Sequence, residues 1–225
     1  MAKFSKSGGT LFTQISSGIY KGKKLALPAL SSTRSTKSIV KGSFFDTWRA
    51  ELRGTAFIEC FGGSGAMALE ALSNGAKNVY AIEKDAAAHK IMRKNFELFG
   101  LSANAILGDC FERLPEILHD LQANMNGCSA ANSSESHTAN SNENSVSDPA
   151  RRVFVYLDPP FAIRQGFGEI YERVLALIAR LGSVQCEPLI AIEHMSELEL
   201  PPKIGDFALL KSRKFGATTM SYYAR

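Results

Sequence analysis

Apolar and polar positions fall in blocks along most of this chain, and the length of each block predicts an element. Residues 55–61 form a short apolar run. Gly62, Gly63 and Gly65 follow within four residues, and an Ala/Leu-rich helical pattern occupies 64–73. That is the profile of a buried strand, a tight turn and a helix N-terminus. The unit then recurs. Asn78–Glu83 reads as a strand and 86–99 as a helix, ended by Gly100, a residue suited to the position just past a helix. Residues 103–107 read as the next strand and 111–121 as the next helix, with Pro115 early enough to be tolerated or to kink it. Arg152–Leu157 is a fully apolar strand, 168–181 a helix and 188–193 a further strand. The tail alternates more simply around 207–211 and 218–223, as an antiparallel pair closing a sheet would. This succession predicts an α/β fold, a Rossmann-like doubly wound sheet that is mostly parallel with an antiparallel C-terminal hairpin.

Two stretches break the rhythm. Residues 12–27 read as a small N-terminal β-hairpin, with Lys21-Gly22-Lys23 as its turn or as a strand-edge bulge. A Ser/Thr-rich linker over 28–38 leads to a helical pattern over 39–52, whose Phe44, Phe45 and Trp48 make an aromatic face better suited to a core than to base stacking. The second stretch, 122–150, is rich in Asn and Ser with almost no aliphatic residue, and is expected to be a disordered insertion. The expected organisation is a basic extension over 1–54 and a catalytic domain over 55–225.

Charge sharpens that division. Ten of the 26 Lys/Arg but only two of the 22 Asp/Glu lie between Met1 and Gly54, so the extension is strongly cationic while the remainder is acidic. Cationic charge gathered at one end suits a polyanion, and Lys21, Lys23, Lys24, Arg34, Lys37 and Lys41 are the candidate phosphate contacts. Cys60, Cys110, Cys128 and Cys186 form no CxxC pair and no His-linked metal spacing, which points to reduced thiols in the cytoplasm and to no metal site. No apolar run approaches the ~20 residues that cross a bilayer, and the polar first ten residues do not resemble a secretory signal.

Candidate chemistry gathers at the strand ends, where sheets of this kind bind ligands. The glycine loop after Phe61 offers Gly63 and Gly65, positions where a ligand can lie against backbone. Glu83-Lys84 closes the next strand, with the acid about twenty residues past the glycines, where it can reach a ribose diol. Asp109-Cys110 closes the third, where a carboxylate or backbone amide can meet an adenine edge. Each acid alone also fits a helix N-cap. Together they outline an adenosine-type pocket, and NAD fits that outline too, because Gly63-x-Gly65-x-x-Ala68 satisfies the loose dinucleotide pattern.

Asp158-Pro159-Pro160-Phe161 separates the two. Two prolines after a buried strand stop the ladder and leave carbonyls free to accept hydrogen bonds. Asp158 and a proline carbonyl can hold the two protons of an exocyclic amine while Phe161 stacks on the base, exposing the nitrogen lone pair to an electrophilic methyl.

The motifs Glu59-Cys60-Phe61-Gly62-Gly63-Ser64-Gly65, Leu69-Glu70-Ala71-Leu72-Ser73-Asn74-Gly75-Ala76 and Asp158-Pro159-Pro160-Phe161 resemble those of the bacterial RsmD-type methyltransferases, and the likeness covers nearly the whole chain. Gly18-Ile19-Tyr20-Lys21-Gly22-Lys23-Lys24-Leu25 is similar to that family's N-terminal β segment. Arg34-Ser35-Thr36 stands where the family usually has Arg-Pro-Thr, and Gly42 stands in place of an acid. The resemblance implies a class I fold that uses S-adenosylmethionine to methylate a guanine N2 in small-subunit (16S) rRNA. It also implies that Glu59, Gly63, Glu83 and Asp109 line the cofactor and that Asp158 to Phe161 hold the guanine. The expected partner is 16S rRNA, within a partly assembled subunit or free, and the chain is expected to act as a monomer. The tetrapeptide is shared with adenine-N6 enzymes, so an adenine-N6 methyltransferase stays open, as does a nucleic-acid-binding protein whose methyltransferase fold is inactive.

Overall fold

The computed structural model describes residues 11–28, 34–131, 151–160 and 167–225; for 34–37, 125–131 and 167–168 the description is of the backbone. Five strands form its parallel half: β3 (Ala56–Cys60), β4 (Asn78–Glu83), β5 (Ala105–Leu107), β6 (Arg152–Leu157) and β7 (Glu187–Met195). Three more complete the sheet in antiparallel fashion: β8 (Lys203–Ile204), β9 (Phe207–Phe215) and β10 (Thr218–Ala224). The strand order is β5-β4-β3-β6-β7-β10-β9-β8. From β3 the chain moves outward to β4 and β5, then returns to lay β6 on the other flank of β3. The reversal therefore lies between β3 and β6, and a crevice opens at their carboxyl ends.

Every residue of β3 is buried because helices cover both faces of the sheet, which is why its sequence is a continuous apolar run. Side chains alternate between two cores. Phe57, Phe154, Tyr156 and Tyr222 face the helices α1 (Arg34–Trp48), α2 (Ala66–Ser73) and α3 (Ala86–Glu97), whereas Ile58, Val155 and Ile190 face α4 (Cys110–Ala131) and α5 (Phe167–Arg180).

The sequence reading and the structure part at two places. Helix α1 starts at Arg34, inside the stretch read as linker, and ends at Trp48. Its Ser and Thr residues are weak helix formers, but tertiary packing carries the helix: the Phe44 ring lies 5.9 Å from Phe57, 6.3 Å from Phe154 and 5.6 Å from Tyr156. The segment set apart as an extension thus contributes to the same core as the sheet. The hairpin spans the expected stretch, with β1 (Leu11–Gln14) antiparallel to β2 (Lys24–Leu27) and turns between them. Those turns dock on α2 through Ser73, whose carbonyl accepts from the Ile19 amide and whose hydroxyl accepts from the Tyr20 amide, each at 2.9 Å, and through one buried carboxylate. Glu70 accepts from the Ser16 amide (2.9 Å to each oxygen), the Ser17 amide (2.8 Å), the Ser17 hydroxyl (3.0 Å) and Lys41 Nζ (2.7 Å). Finally, α4 continues to Ala131, past the boundary at 121, and Gln122 Oε1 accepts from the Gln185 amide at 3.1 Å. Helix thus enters a stretch that composition marked as disordered; residues 132–150 lie outside the described ones.

Candidate active site

The loop after β3 is built from unusual backbone. Phe61 has φ of +60°, in the left-handed region that a non-glycine residue rarely occupies, and Gly63 and Gly65 follow at +54° and +74°. The Gly62 amide donates to the Ile82 carbonyl at 2.7 Å, which fastens the loop to the end of β4. A Cβ on Gly65 would lie 2.4 Å from the Phe96 ring, whereas a Cβ on Gly63 would meet nothing within 4 Å. Gly65 is therefore required for packing and Gly63 leaves its face open. Gly65→Ala is expected to lower unfolding stability by about 1–3 kcal/mol through that clash and the left-handed backbone. Urea denaturation measures it, and a variant as stable as the parent would contradict this account of the turn.

Glu83 ends β4 with its carboxylate turned to the loop. Oε2 accepts from the Gly63 amide and Oε1 from the Asp85 amide, each at 2.7 Å. The N-cap of α3 is taken by Asp85, whose carboxylate accepts from the Ala88 amide at 2.7 Å. Each Glu83 oxygen keeps acceptor capacity beyond these bonds, so the pair of acceptors it presents suits the two hydroxyls of a ribose diol.

Asp109 caps α4 from the position just before it, accepting from the Phe111 amide (3.1 Å) and Lys84 Nζ (3.1 Å), with Arg173 at 3.6 Å. Burial acts to raise its pKa, but the Phe111 amide and the Lys84 and Arg173 cations outweigh burial and hold the carboxyl below its ordinary range. The Arg173 guanidinium lies 3.9 Å over the Phe111 ring, which in turn lies 6.1 Å from Phe61. Cys110, expected among the cofactor contacts, has its side chain buried in the core against α4's own side of the sheet, its thiol paired with Cys60, which leaves the backbone amide as the group that can face the cleft. That hydrogen bond and burial push the Cys60 thiol well above its ordinary value, so Cys60 is not suited to act as a nucleophile.

Across the switch point a cavity of about 190 Å³ opens between the glycine loop and the end of β6. Glu59, Gly63, Tyr156, Asp158 and Glu193 are among its walls. Glu59 is only 6% exposed and accepts from the Ala68 amide at 2.9 Å, satisfying a donor in the first turn of α2. Asp158 is half-buried at the end of β6, Pro159 is buried and Pro160 exposed, while Phe161 lies outside the described residues. Beneath them the buried Tyr156 hydroxyl donates to Glu193 Oε2 at 2.8 Å. Burial and then the negative charges of Glu193 and Asp158 push the Tyr156 pKa well up.

The cationic candidates divide. Lys21 and Lys24 are exposed on the hairpin. Lys23 donates to the Leu98 carbonyl at 2.8 Å and lies 4.2 Å over the Phe99 ring, so part of its role is to pin the hairpin to α3. Lys41, expected to meet phosphate, is turned inward. Its side chain is 11% exposed and donates to Glu70 and, at 3.1 Å, to the Gln14 carbonyl. The Arg34 and Lys37 side chains lie outside the described residues. Tyr156, Glu193 and Phe111 were missed from the sequence; an acid closing the apolar run of β7 was the available signal for Glu193. Among the described residues, no three His, Cys, Asp or Glu side chains are grouped to hold a metal ion, and no helix is long and apolar enough to cross a membrane.

The family model described as conserved hypothetical protein 95 matches residues 13–120 and 109–224, which is almost the whole described chain. The chain belongs to this family, the RsmD-type methyltransferases. YlbH of Bacillus subtilis, named as a candidate rRNA methyltransferase, is 26% identical over 212 residues, covering 94% of this chain and 98% of that protein. Ribosomal RNA small subunit methyltransferase D of Escherichia coli is 25% identical over 216 residues, covering 94% and 89%. Among solved structures, the E. coli candidate methyltransferase yhhF superposes with a TM-score of 0.65 at 22% identity over 95% of this RsmD-type chain and 98% of its own. The 16S rRNA N2 methyltransferase RsmC of T. thermophilus, solved with AdoMet and guanosine, gives 0.58 at 16% identity over 99% of this chain and 53% of its own. At these identities both establish the shared class I fold.

Proposed function

We propose that this RsmD-type protein is an S-adenosylmethionine-dependent methyltransferase acting on the exocyclic N2 amine of a guanine in 16S rRNA. One observation carries the reading: the glycine loop after β3 and Asp158 after β6 open into a single cavity at the point where the strand order reverses. The names borne by the RsmD and RsmC relatives support the rRNA and guanine parts of it.

When bound, S-adenosylmethionine supplies a methyl group carried on an electrophilic sulfonium. Glu83, held by two amides, accepts from the ribose hydroxyls, and Gly63 leaves room for the ligand to lie against the loop. Asp158 and the Pro159 carbonyl accept the two protons of the target amine, turning its lone pair toward the methyl. Phe161 is expected to stack on the base. A neutral amine needs placement more than a strong base, because its proton can leave during or after transfer. The target must be extruded or unpaired to enter the cavity. Exposed Lys21 and Lys24 meet backbone phosphates, with Arg34 and Lys37 as further contacts, so binding weakens steeply with salt. On this reading the protein works in the cytoplasm, where small subunits are assembled.

Labelled methyl transfer to free 16S rRNA, to partly assembled small subunits and to DNA, followed by nucleoside identification, tests the proposal. The expected product is N2-methylguanosine in 16S rRNA or in the subunit. N6-methyladenine in any substrate would favour the adenine reading, and absence of cofactor binding by calorimetry would favour an inactive binding protein.

A further inference from the structure

The cavity holds a buried acid that the mechanism above leaves unused. Glu193 is 4% exposed, near the end of β7, and its carboxylate is oriented by the Tyr156 hydroxyl. Strands β6 and β7 run parallel with Leu157 opposite Ile192, so Asp158 and Glu193 are the next residues of two paired neighbouring strands. Adjacent strands lie about 5 Å apart, which sets the two carboxylates side by side at one mouth of the sheet. Both carboxylates contribute to the field at Tyr156.

The two purines differ in what they show such a pair. Guanine presents two adjacent donors on its Watson–Crick edge, N1–H and the N2 amine. Adenine presents an amine beside an N1 lone pair. An ionised carboxylate only accepts hydrogen bonds; opposite adenine N1 it would face a lone pair and repel it. Satisfying the Tyr156 hydroxyl does not by itself call for an acid. A glutamine of the same length accepts that bond without the cost of burying a charge, which amounts to several kcal/mol before compensation.

We infer that Glu193 determines base specificity at this site by accepting the N1–H of guanine while Asp158 holds the N2 amine. The inference rests on the guanine reading of the preceding section and assigns the residue that enforces it. A site built to accept a substrate N–H rejects an analogue that lacks it, because the buried group is then left unpaired.

The test uses short RNAs spanning the mapped target, carrying guanosine, 2,6-diaminopurine riboside or adenosine at that position. Diaminopurine keeps the 2-amine but offers a lone pair at N1. The full chain is expected to methylate guanosine in preference to diaminopurine by about 10- to 100-fold in kcat/KM, the difference a hydrogen bond to a charged group makes. In Glu193→Gln that preference should collapse, because transfer to guanosine falls while transfer to diaminopurine holds and calorimetric S-adenosylmethionine affinity stays within a few-fold. Wild-type protein that treats guanosine and diaminopurine alike overturns the role of Glu193 and leaves guanine-N2 transfer standing. An equal loss on both RNAs in Glu193→Gln assigns the residue to structure alone and also overturns it. Methylation confined to the adenosine RNA removes the guanine reading itself.

Discussion

Asp158→Ala is expected to reduce methyl transfer by at least about 100-fold, the loss that follows when a reacting group is misplaced by about 1 Å. Cofactor affinity should stay within a few-fold of the parent. The two effects separate because the structure separates their causes. On the proposed reading the cofactor side is organised by β3, β4 and the loop between β3 and α2, where Glu83 is fastened by the Gly63 and Asp85 amides. Asp158 belongs to β6, on the other flank of the switch point. Removing its carboxylate leaves the target amine one acceptor, the Pro159 carbonyl, which cannot fix the direction of the nitrogen lone pair. Asp158→Asn keeps one acceptor oxygen and should lose less. Single-turnover transfer of labelled methyl and calorimetry with S-adenosylmethionine read the two quantities independently. Normal turnover in Asp158→Ala would remove the assigned role, and a large loss of affinity would move the residue to the cofactor side.

Glu70→Ala should lower unfolding stability by about 3–5 kcal/mol, the range for breaking a buried ion pair from one side. Lys41, its side chain 11% exposed, would then keep the Gln14 carbonyl but lose its carboxylate. The Ser16 and Ser17 amides and the Ser17 hydroxyl would lose their acceptor as well. The hairpin turns and α1 should loosen from α2 before the sheet yields, because the sheet keeps both of its cores. Urea denaturation gives the total, and hydrogen exchange at Ser16, Ser17 and Gly22 reports whether the loss starts at the hairpin. A change below about 1 kcal/mol would mean that the node is a surface-like pair and that the hairpin is held by its apolar contacts, Ile15 and Leu25.

The Glu70 node also illustrates where a sequence reading stops. Lys41 is one of ten basic residues in the first 54, and composition treats them alike. Only the docking of α1 beside the hairpin turns its ammonium toward Glu70, while Lys21 and Lys24 stay in solvent. Cys110 shows a related limit: the side chain of a residue at a strand-to-helix junction can face the cleft or the core, and here the helical phase of α4 sends the thiol to Cys60. Glu83 and Asp109 were legible as strand-end acids. Their division of labour was not, since Asp85 supplies the cap of α3 and leaves Glu83 to the loop, whereas Asp109 caps α4 and binds two cations.

What the sequence by itself determined is what depends on neighbours along the chain. The apolar runs specify strands, the glycines specify a turn with left-handed backbone, and the paired prolines end a strand and remove its donors. These are constraints on a few consecutive residues, and the chain carries them wherever it goes. Tertiary structure decided which strand ends became neighbours. The return of β6 to the flank of β3 places Asp158 opposite the glycine loop, and the register of β6 with β7 brings Glu193 beside Asp158. No periodicity encodes those pairings, because they arise from burying both faces of one sheet, a condition that joins residues far apart in the chain, such as Ala56 and Val153.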